Sequence, residues 1–400
     1  MEYEKRNEYD VTIKTQQSLL RKLPKLKNQF QSKTCFLGLD GYVDSLYSLV
    51  KSRKSPLKWT RMDNMSTFGQ IVQDVAGSSA NIERVLKKRT SGGFAPNTAK
   101  AINGLGIKVN LIAAVGYPKI KPIFKDLTDR EAVNTLNFSD PGETLGLEFD
   151  DGKIMLTDFA NVMNINWDLL IERIGLEKLI SLIENSTLMG FGHWSLLPHF
   201  NEIWQHMLDE VFPKIDKLEN KLFFVDLADI KKRSDEDIRR MLDLLAKIDK
   251  KVPVMLSLND QESIDITKAL GQVDNINPTK ENFEDYVDGG KNINKHINLS
   301  YLIIHSPHFA TVTLENQDHY WVTEGHTSSP QYTTGAGDHF HSGAAIALCC
   351  DITPAEALLL GNSLTAIFVR TGESPNLSQL KHFIKNYMKY VEEDIPTFPS

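Results

Sequence analysis

Residues 332–350 read YTTGAGDHFHSGAAIALCC, and how the Gly-Ala-Gly-Asp before its apolar helix-forming run is understood decides the fold. Two glycines at this spacing cost backbone entropy, so a plain connector would seldom carry both. Asp338 falls where a helix would begin. There the first backbone N–H groups lack partners and the helix dipole favours negative charge, so an ionised Asp338 is expected. One reading is a glycine turn with a carboxylate in the first helical turn. The sharper one is an anion hole of backbone N–H groups with an acid or base beside it.

Upstream of that stretch, strands and helices alternate. Short apolar runs read as buried strands: TCFLGL (34–39), KVNLIAAVG (108–116), STLMGFG (186–192), KLFFVDLA (221–228), VPVMLSLN (252–259) and YLIIHS (301–306). Helical spacing is read at 8–31, 79–89, 95–106, 167–185 and 201–218, and again in two helices near 337–350 and 354–370. LGLEFDDGKIMLTDF reads as a hairpin turned at Asp151-Gly152, and ATVTLENQDHYWVTEG as another. The rhythm predicts an α/β fold with a mostly parallel sheet covered on both faces. The segments 45–75 and 143–158 fall outside it and are expected to form a small second sheet, such as a lid. Residues 1–33 read as a helical N-terminal extension and 34–400 as one domain.

Composition narrows the class. The chain has 400 residues, 41% of them hydrophobic and 24% charged, as in an ordinary globular protein. Its net charge of −7 points away from nucleic acid and from anionic membranes as partners. Cys35, Cys349 and Cys350 make no disulfide framework and fit a reducing compartment. The charged N-terminus lacks an apolar leader core, and no run of about 18 apolar residues occurs, so a soluble cytoplasmic protein is expected.

Four stretches carry candidate chemistry. GLDGYVD sets Asp40 and Asp44 just after the first strand, where ligands gather in open α/β sheets. SGGFAPN holds Gly92 and Gly93, which allow close backbone approach, and Asn97, which can donate and accept. SLNDQE carries Asn259, Asp260 and Glu262, oxygen ligands that could order water around Mg²⁺. TTGAGD is the strongest. For the first two, a helix-starting turn is the plain alternative; for the third, a solvated loop. No GxxxxGK[ST] loop or HExxH occurs, and GLGIKV and GFGHWS lack a third glycine, so a dinucleotide-dependent redox enzyme is a distant alternative. The histidines at 193, 199, 206, 305, 308, 339 and 341 have no acidic partner at ligand spacing and read as core or surface residues.

The order of these four stretches resembles the ribokinase-like (PfkB) family of carbohydrate kinases, over nearly all of residues 34–380. GGFAPNTAKAINGLGIKVNLIAAVG is similar to that family's first signature and TTGAGDHFHSGAAIAL to its second. The resemblance implies a three-layer αβα sandwich with a small β lid. It implies transfer of the γ-phosphate of ATP, with Mg²⁺, to a hydroxymethyl group of a sugar or related alcohol. Residue by residue, Asp338 resembles the catalytic base, and Gly335, Ala336 and Gly337 the anion hole. Asp44, Gly92, Gly93 and Asn97 match substrate-binding positions. Asn259 and Glu262 match an Asn-x-x-Glu motif that acts on Mg²⁺ through water. A dimer paired through lid edges is compatible with the resemblance, and so is a monomer.

The sequence departs from the family pattern at three places. Tyr332 stands where the family usually has Asp, VDLADIKKR keeps only Asp226 clearly, and HSPHFA replaces a Thr-x-Gly-x-x-Gly phosphate loop. Pro307 has no N–H to offer. A weak or relaxed nucleotide preference is therefore expected. The alternatives are a kinase of this fold that uses ADP or acts on a nucleoside or vitamin-like alcohol, and a catalytically weak sugar-binding protein.

Overall fold

The computed structural model describes residues 2–271 and 283–399. In chain order its strands are β1 (Thr34–Leu39), β2 (Tyr42–Ser55), β3 (Lys58–Arg61), β4 (Arg84–Gly92), β5 (Lys108–Ala113), β6 (Val133–Asn137), β7 (Gly142–Glu148), β8 (Lys153–Asp158), β9 (Leu188–Phe191), β10 (Leu222–Asp226), β11 (Val254–Asn259), β12 (Tyr301–His305), β13 (Phe309–Leu314) and β14 (His319–Thr323). Among the described residues, nine form one sheet in the order β14-β13-β12-β11-β10-β9-β1-β5-β6. Pairing is parallel from β6 to β12 and antiparallel through the hairpins β12–β13–β14.

Both faces of this sheet are covered, as continuous apolar strands require. Along β1, Cys35 and Leu37 point into one core with Phe94, Leu359 and Phe383, while Phe36 points into the other with Trp204 and Phe223. The expected sandwich is therefore present. The N-terminal helix runs Glu2–Gln31, and it buries Leu19, Leu23, Leu26 and Phe30 in the first of these cores. Lys22 pairs with buried Glu356 at 2.7 Å, and Gln16 donates to the Ile384 carbonyl at 2.7 Å.

The second sheet joins β3, β2, β7 and β8, with β4 on the other edge of β2. It holds its own small core of Leu49, Met62, Leu147 and Phe149. The hairpin turned at Asp151-Gly152 is β7–β8, as read. The helix read at 79–89 is not there: residues 84–92 are the strand β4, paired antiparallel with β2 from Tyr42–Gly92 to Leu49–Arg84. Arg, Lys and Leu favour a helix locally, but long-range backbone pairing outweighs that weak preference. The helix read at 167–185 is two, Trp167–Ile174 and Leu176–Glu184, parted by Gly175 at φ +86°. No described helix is long and apolar enough to cross a membrane.

Candidate active site

The carboxyl ends of the adjacent strands β1, β9, β10 and β11 lead into Asp40, His193, Asp226 and Asn259. Such ends form the ligand crevice of open α/β sheets. The helix Ala336–Leu348 begins above them, with Gly335 before it at φ +94°. That left-handed turn is open to glycine at no steric cost. Asp338 is the third residue of the helix and is buried. Gly337 has nothing closer than His341 Nε2, at 3.9 Å, to where a side chain would start. It lines a cavity of about 560 Å³ together with Asn259, Ser306, Pro307, Ala336 and Phe340. Unpartnered N–H groups at such a helix start can hold a phosphate.

Asp338 accepts a hydrogen bond from Asn97 Nδ2 at 2.8 Å, so two distant signature stretches meet at one carboxylate. Its charge state departs from the expectation of an ionised group. Burial pushes the carboxyl up to about 7, and the charges of Asp226 and Asp40 add to that; His193 and the Asn97 bond pull the other way. At this position loss of water outweighs the helix-start N–H groups.

Asp40 is fully buried, and its two oxygens accept from the N–H groups of Phe94, at 2.9 Å, and Ala95, at 2.8 Å. It thereby ties the helix Phe94–Gly104 to the end of β1. Gly93, at φ +102°, is hemmed in by Asp40 and Tyr42, and a side chain on Gly92 would strike Asp44 Oδ2. The Gly-Gly pair thus leaves room for two carboxylates. Asp44 lies on β2, opposite Thr90 of β4 and Thr144 of β7. Burial raises its carboxyl above the usual range, against the Thr144 hydrogen bond and the charge of His193.

His193, read from the sequence as a core or surface residue, stands at the centre of this site. It adopts φ +59°, uncommon outside glycine. Its Nδ1 is 2.6 Å from Asp40 Oδ2, an ion pair rather than a straight hydrogen bond, and its Nε2 is 3.9 Å from Asp226 Oδ2. Burial would lower its pKa, but Asp40, Asp226 and Asp338 outweigh that and hold it up at about 10. Donor atoms of His193, Asp226 and Asp338 lie within 4.8 Å of one another. The one sequence signal was position: His193 follows the end of a buried strand by two residues. Spacing along the chain could not reveal its acidic partners, which come from other strands.

Asn259 and Glu262 form a reciprocal capping box at the start of the helix Asp260–Ala269, each side chain bonding the other's N–H at 2.9 Å. Glu262 is buried, which raises its carboxyl well above the usual range, and the charge of Asp226 adds to it. Of HSPHFA, His305, Ser306, Pro307 and His308 line the cavity. Ser306 Oγ accepts from the N–H groups of both His308 and Phe309 at 3.1 Å, so the loop spends two of its donors on itself. Tyr332 packs against Gly372, with Lys88 Nζ 5.0 Å from its ring centre.

A nine-stranded sandwich, a small lid sheet and a Gly-Ala-Gly-Asp helix start beside a cavity define a ribokinase-like carbohydrate kinase. The ribokinase of Arabidopsis thaliana, solved with ribose and ATP, matches 88% of this chain and 98% of its own at a TM-score of 0.62 and 14% identity. That of Cryptococcus neoformans, solved with ADP, matches 88% of this chain and 99% of its own at 0.61 and 14%. In sequence, a ketohexokinase of Haloferax volcanii is 26% identical over 386 residues, covering 96% of this chain and 98% of that protein. The family model described as prokaryotic ketohexokinase matches residues 10–387, and the chain belongs to that family.

Proposed function

We propose that this kinase transfers the γ-phosphate of ATP to a hydroxymethyl group of a ketohexose, with Asp338 as general base. The observation that carries the reading is the buried Asp338 carboxyl in the first turn of the helix Ala336–Leu348, where the Ala336 N–H donates to the Thr333 carbonyl at 3.2 Å and Gly337 borders a cavity of about 560 Å³. The name of the Haloferax volcanii relative supports the sugar class.

In the reaction, Asp338 takes the proton of the hydroxymethyl group as its oxygen attacks the γ-phosphorus. A new O–P bond forms, the bond to the β–γ bridging oxygen breaks, and ADP leaves. The N–H groups of Gly335, Ala336 and Gly337 face the charge on the phosphate oxygens. Asp44 and the Gly92-Gly93 turn hold the sugar under the lid, and Asn97 holds Asp338. Asn259 and Glu262 would order water around Mg²⁺. The fit is supported by the oxygen donors and by the mutual strain of the Glu262 and Asp226 carboxyls, which a divalent cation would relieve. Bound there, Mg²⁺ supplies charge neutralisation on the transferred phosphate.

The test is nucleotide consumption with Mg²⁺ against ketohexoses, aldoses, nucleosides and vitamin-like alcohols, with the product's phosphate placed by NMR. A ketohexose with the highest kcat/KM and a phosphorylated primary hydroxyl is expected. A nucleoside or vitamin preference would overturn the substrate class. Sugar binding with no nucleotide turnover would favour a binding protein.

A further inference from the structure

Glu324 is a buried carboxyl to which the kinase reading gives no task. It follows strand β14, is only 8% exposed and lines the cavity of about 560 Å³. Among the described residues none hydrogen-bonds its carboxyl, and neither of its oxygens is sealed from solvent. Burial raises this carboxyl well above the usual range, and Arg370 opposes that through space only. The Arg370 guanidinium donates instead to the carbonyls of Gly325, His326, Ala366 and Ile395. Two bonds to the helix Pro354–Thr371 set the place of Glu324 along the cavity. Thr365 Oγ1 donates to the Ala336 carbonyl at 2.9 Å, beside the phosphate cradle, and Arg370 Nη2 donates to the Gly325 carbonyl at 2.9 Å. From residue 365 to residue 370 the helix rises by about 7.5 Å. Glu324 thus stands away from the cradle, and flat rings stand beside it. Its N–H donates to the His308 carbonyl at 2.7 Å, and the ring centres of His308 and His326, both at the cavity, are 4.5 Å apart. Pro330, Ala366 and Val369 add apolar wall.

We propose that Glu324 is a specificity-determining residue that accepts a hydrogen bond from the exocyclic amino group of the nucleotide base. The proposal rests on the reading of this cavity as the nucleotide site. Such pockets hold a ligand by apolar walls and fix its orientation with a few polar groups. With the phosphates at the helix start and the ribose between, the base reaches the Glu324 end, where rings and apolar side chains suit a flat heterocycle. A carboxylic acid and a carboxylate both offer an acceptor oxygen, so the contact does not depend on the charge of Glu324. A base without the amino group leaves that enclosed oxygen unpaired, which is what makes a buried polar contact selective. Adenine carries such a group at C6, guanine at C2 and cytosine at C4. The contact therefore rejects bases that lack one and leaves the preference among these relaxed.

The experiment is calorimetry of the full chain, with Mg²⁺, against ATP and purine riboside triphosphate, which is ATP without its amino group. The wild type should bind ATP about tenfold more tightly than the analogue. Glu324→Leu should bind both alike, near the wild-type affinity for the analogue. Glu324→Gln, which keeps a carbonyl acceptor, should retain the preference for ATP. A purely structural role would weaken both nucleotides equally in both variants and leave their ratio in place. Equal binding of the two nucleotides by the wild type overturns the inference, and so does a preference that survives in Glu324→Leu. 2′-Deoxy-ATP is the control: if Glu324→Leu erases discrimination against it instead, the carboxyl holds the ribose and the inference is overturned. Should Glu324→Leu not fold, Glu324→Asp takes its place; drawn back by one methylene, it should lose most of the preference, and full retention overturns the inference. Binding is the readout, so the role of Asp338 does not enter. If the wild type binds neither nucleotide, the reading of the cavity and this inference fall together; if it binds both without preference, only the role of Glu324 falls.

Discussion

Two effects compete at Asp338. The helix start favours the carboxylate, and the sequence showed only that effect. Burial favours the acid and wins, lifting the carboxyl to about 7. A base must be ionised to act, so kcat/KM should rise with pH and reach half of its plateau near 7. Initial rates at subsaturating sugar between pH 5 and 9 check this, and a flat profile from 5.5 to 8 would contradict it. Burial of this kind cannot be read from six letters of sequence, because the carboxylates that crowd Asp338 come from positions 40 and 226. The same holds for His193. Its letter was visible, but its partners lie on other strands.

The helix start itself was legible, since a glycine turn, a carboxylate and an apolar run are local signals. Its two glycines now separate by role. Gly335 needs its left-handed φ of +94°, so Gly335→Ala should lower stability by about 1–2 kcal/mol. Gly337 has helical backbone and open space, so Gly337→Ala should leave the melting temperature nearly unchanged and raise nucleotide KM by filling the phosphate cradle. Thermal melts with steady-state kinetics check the pair, and equal effects on both quantities would contradict the division. Strand β2 offers a third test. Asp44→Ala should raise sugar KM well above its effect on nucleotide KM, and equal effects would remove Asp44 from the sugar site. Strand β4 marks the limit of local reading. Its Arg, Lys and Leu residues follow helical spacing, and only the ladder with β2, more than thirty residues away in sequence, makes them a strand.

For the whole molecule, the alternation of apolar strands with helices was enough to fix the sandwich, because buried parallel strands announce themselves as continuous apolar runs. The lid was legible as a break in that rhythm, though its pairings were not. The order of the motifs carried the family. The nucleotide side departs from that pattern most, and the structure gives a physical reason for the expected outcome. Pro307 has no N–H, and Ser306 engages those of His308 and Phe309. Nucleotide binding should therefore be weak or relaxed in preference, with Mg²⁺ still required. Calorimetry with ATP, ADP and GTP checks this, and tight ATP-exclusive binding would show that other residues had replaced the loop. The central claim is that Asp338 takes the proton in a sugar-kinase reaction. Its most direct test is steady-state turnover of Asp338→Asn beside the wild type, with sugar and nucleotide binding and thermal stability measured on both. The account predicts a folded variant that binds both substrates and turns over about 10²–10⁴-fold more slowly. Its melting temperature should exceed that of the wild type, by a margin that grows as the pH rises from about 4 to about 7. In the wild type the unfolded chain ionises this carboxyl first, and about three pKa units set a ceiling of roughly 4 kcal/mol on that gain. Near wild-type turnover by Asp338→Asn would contradict the account.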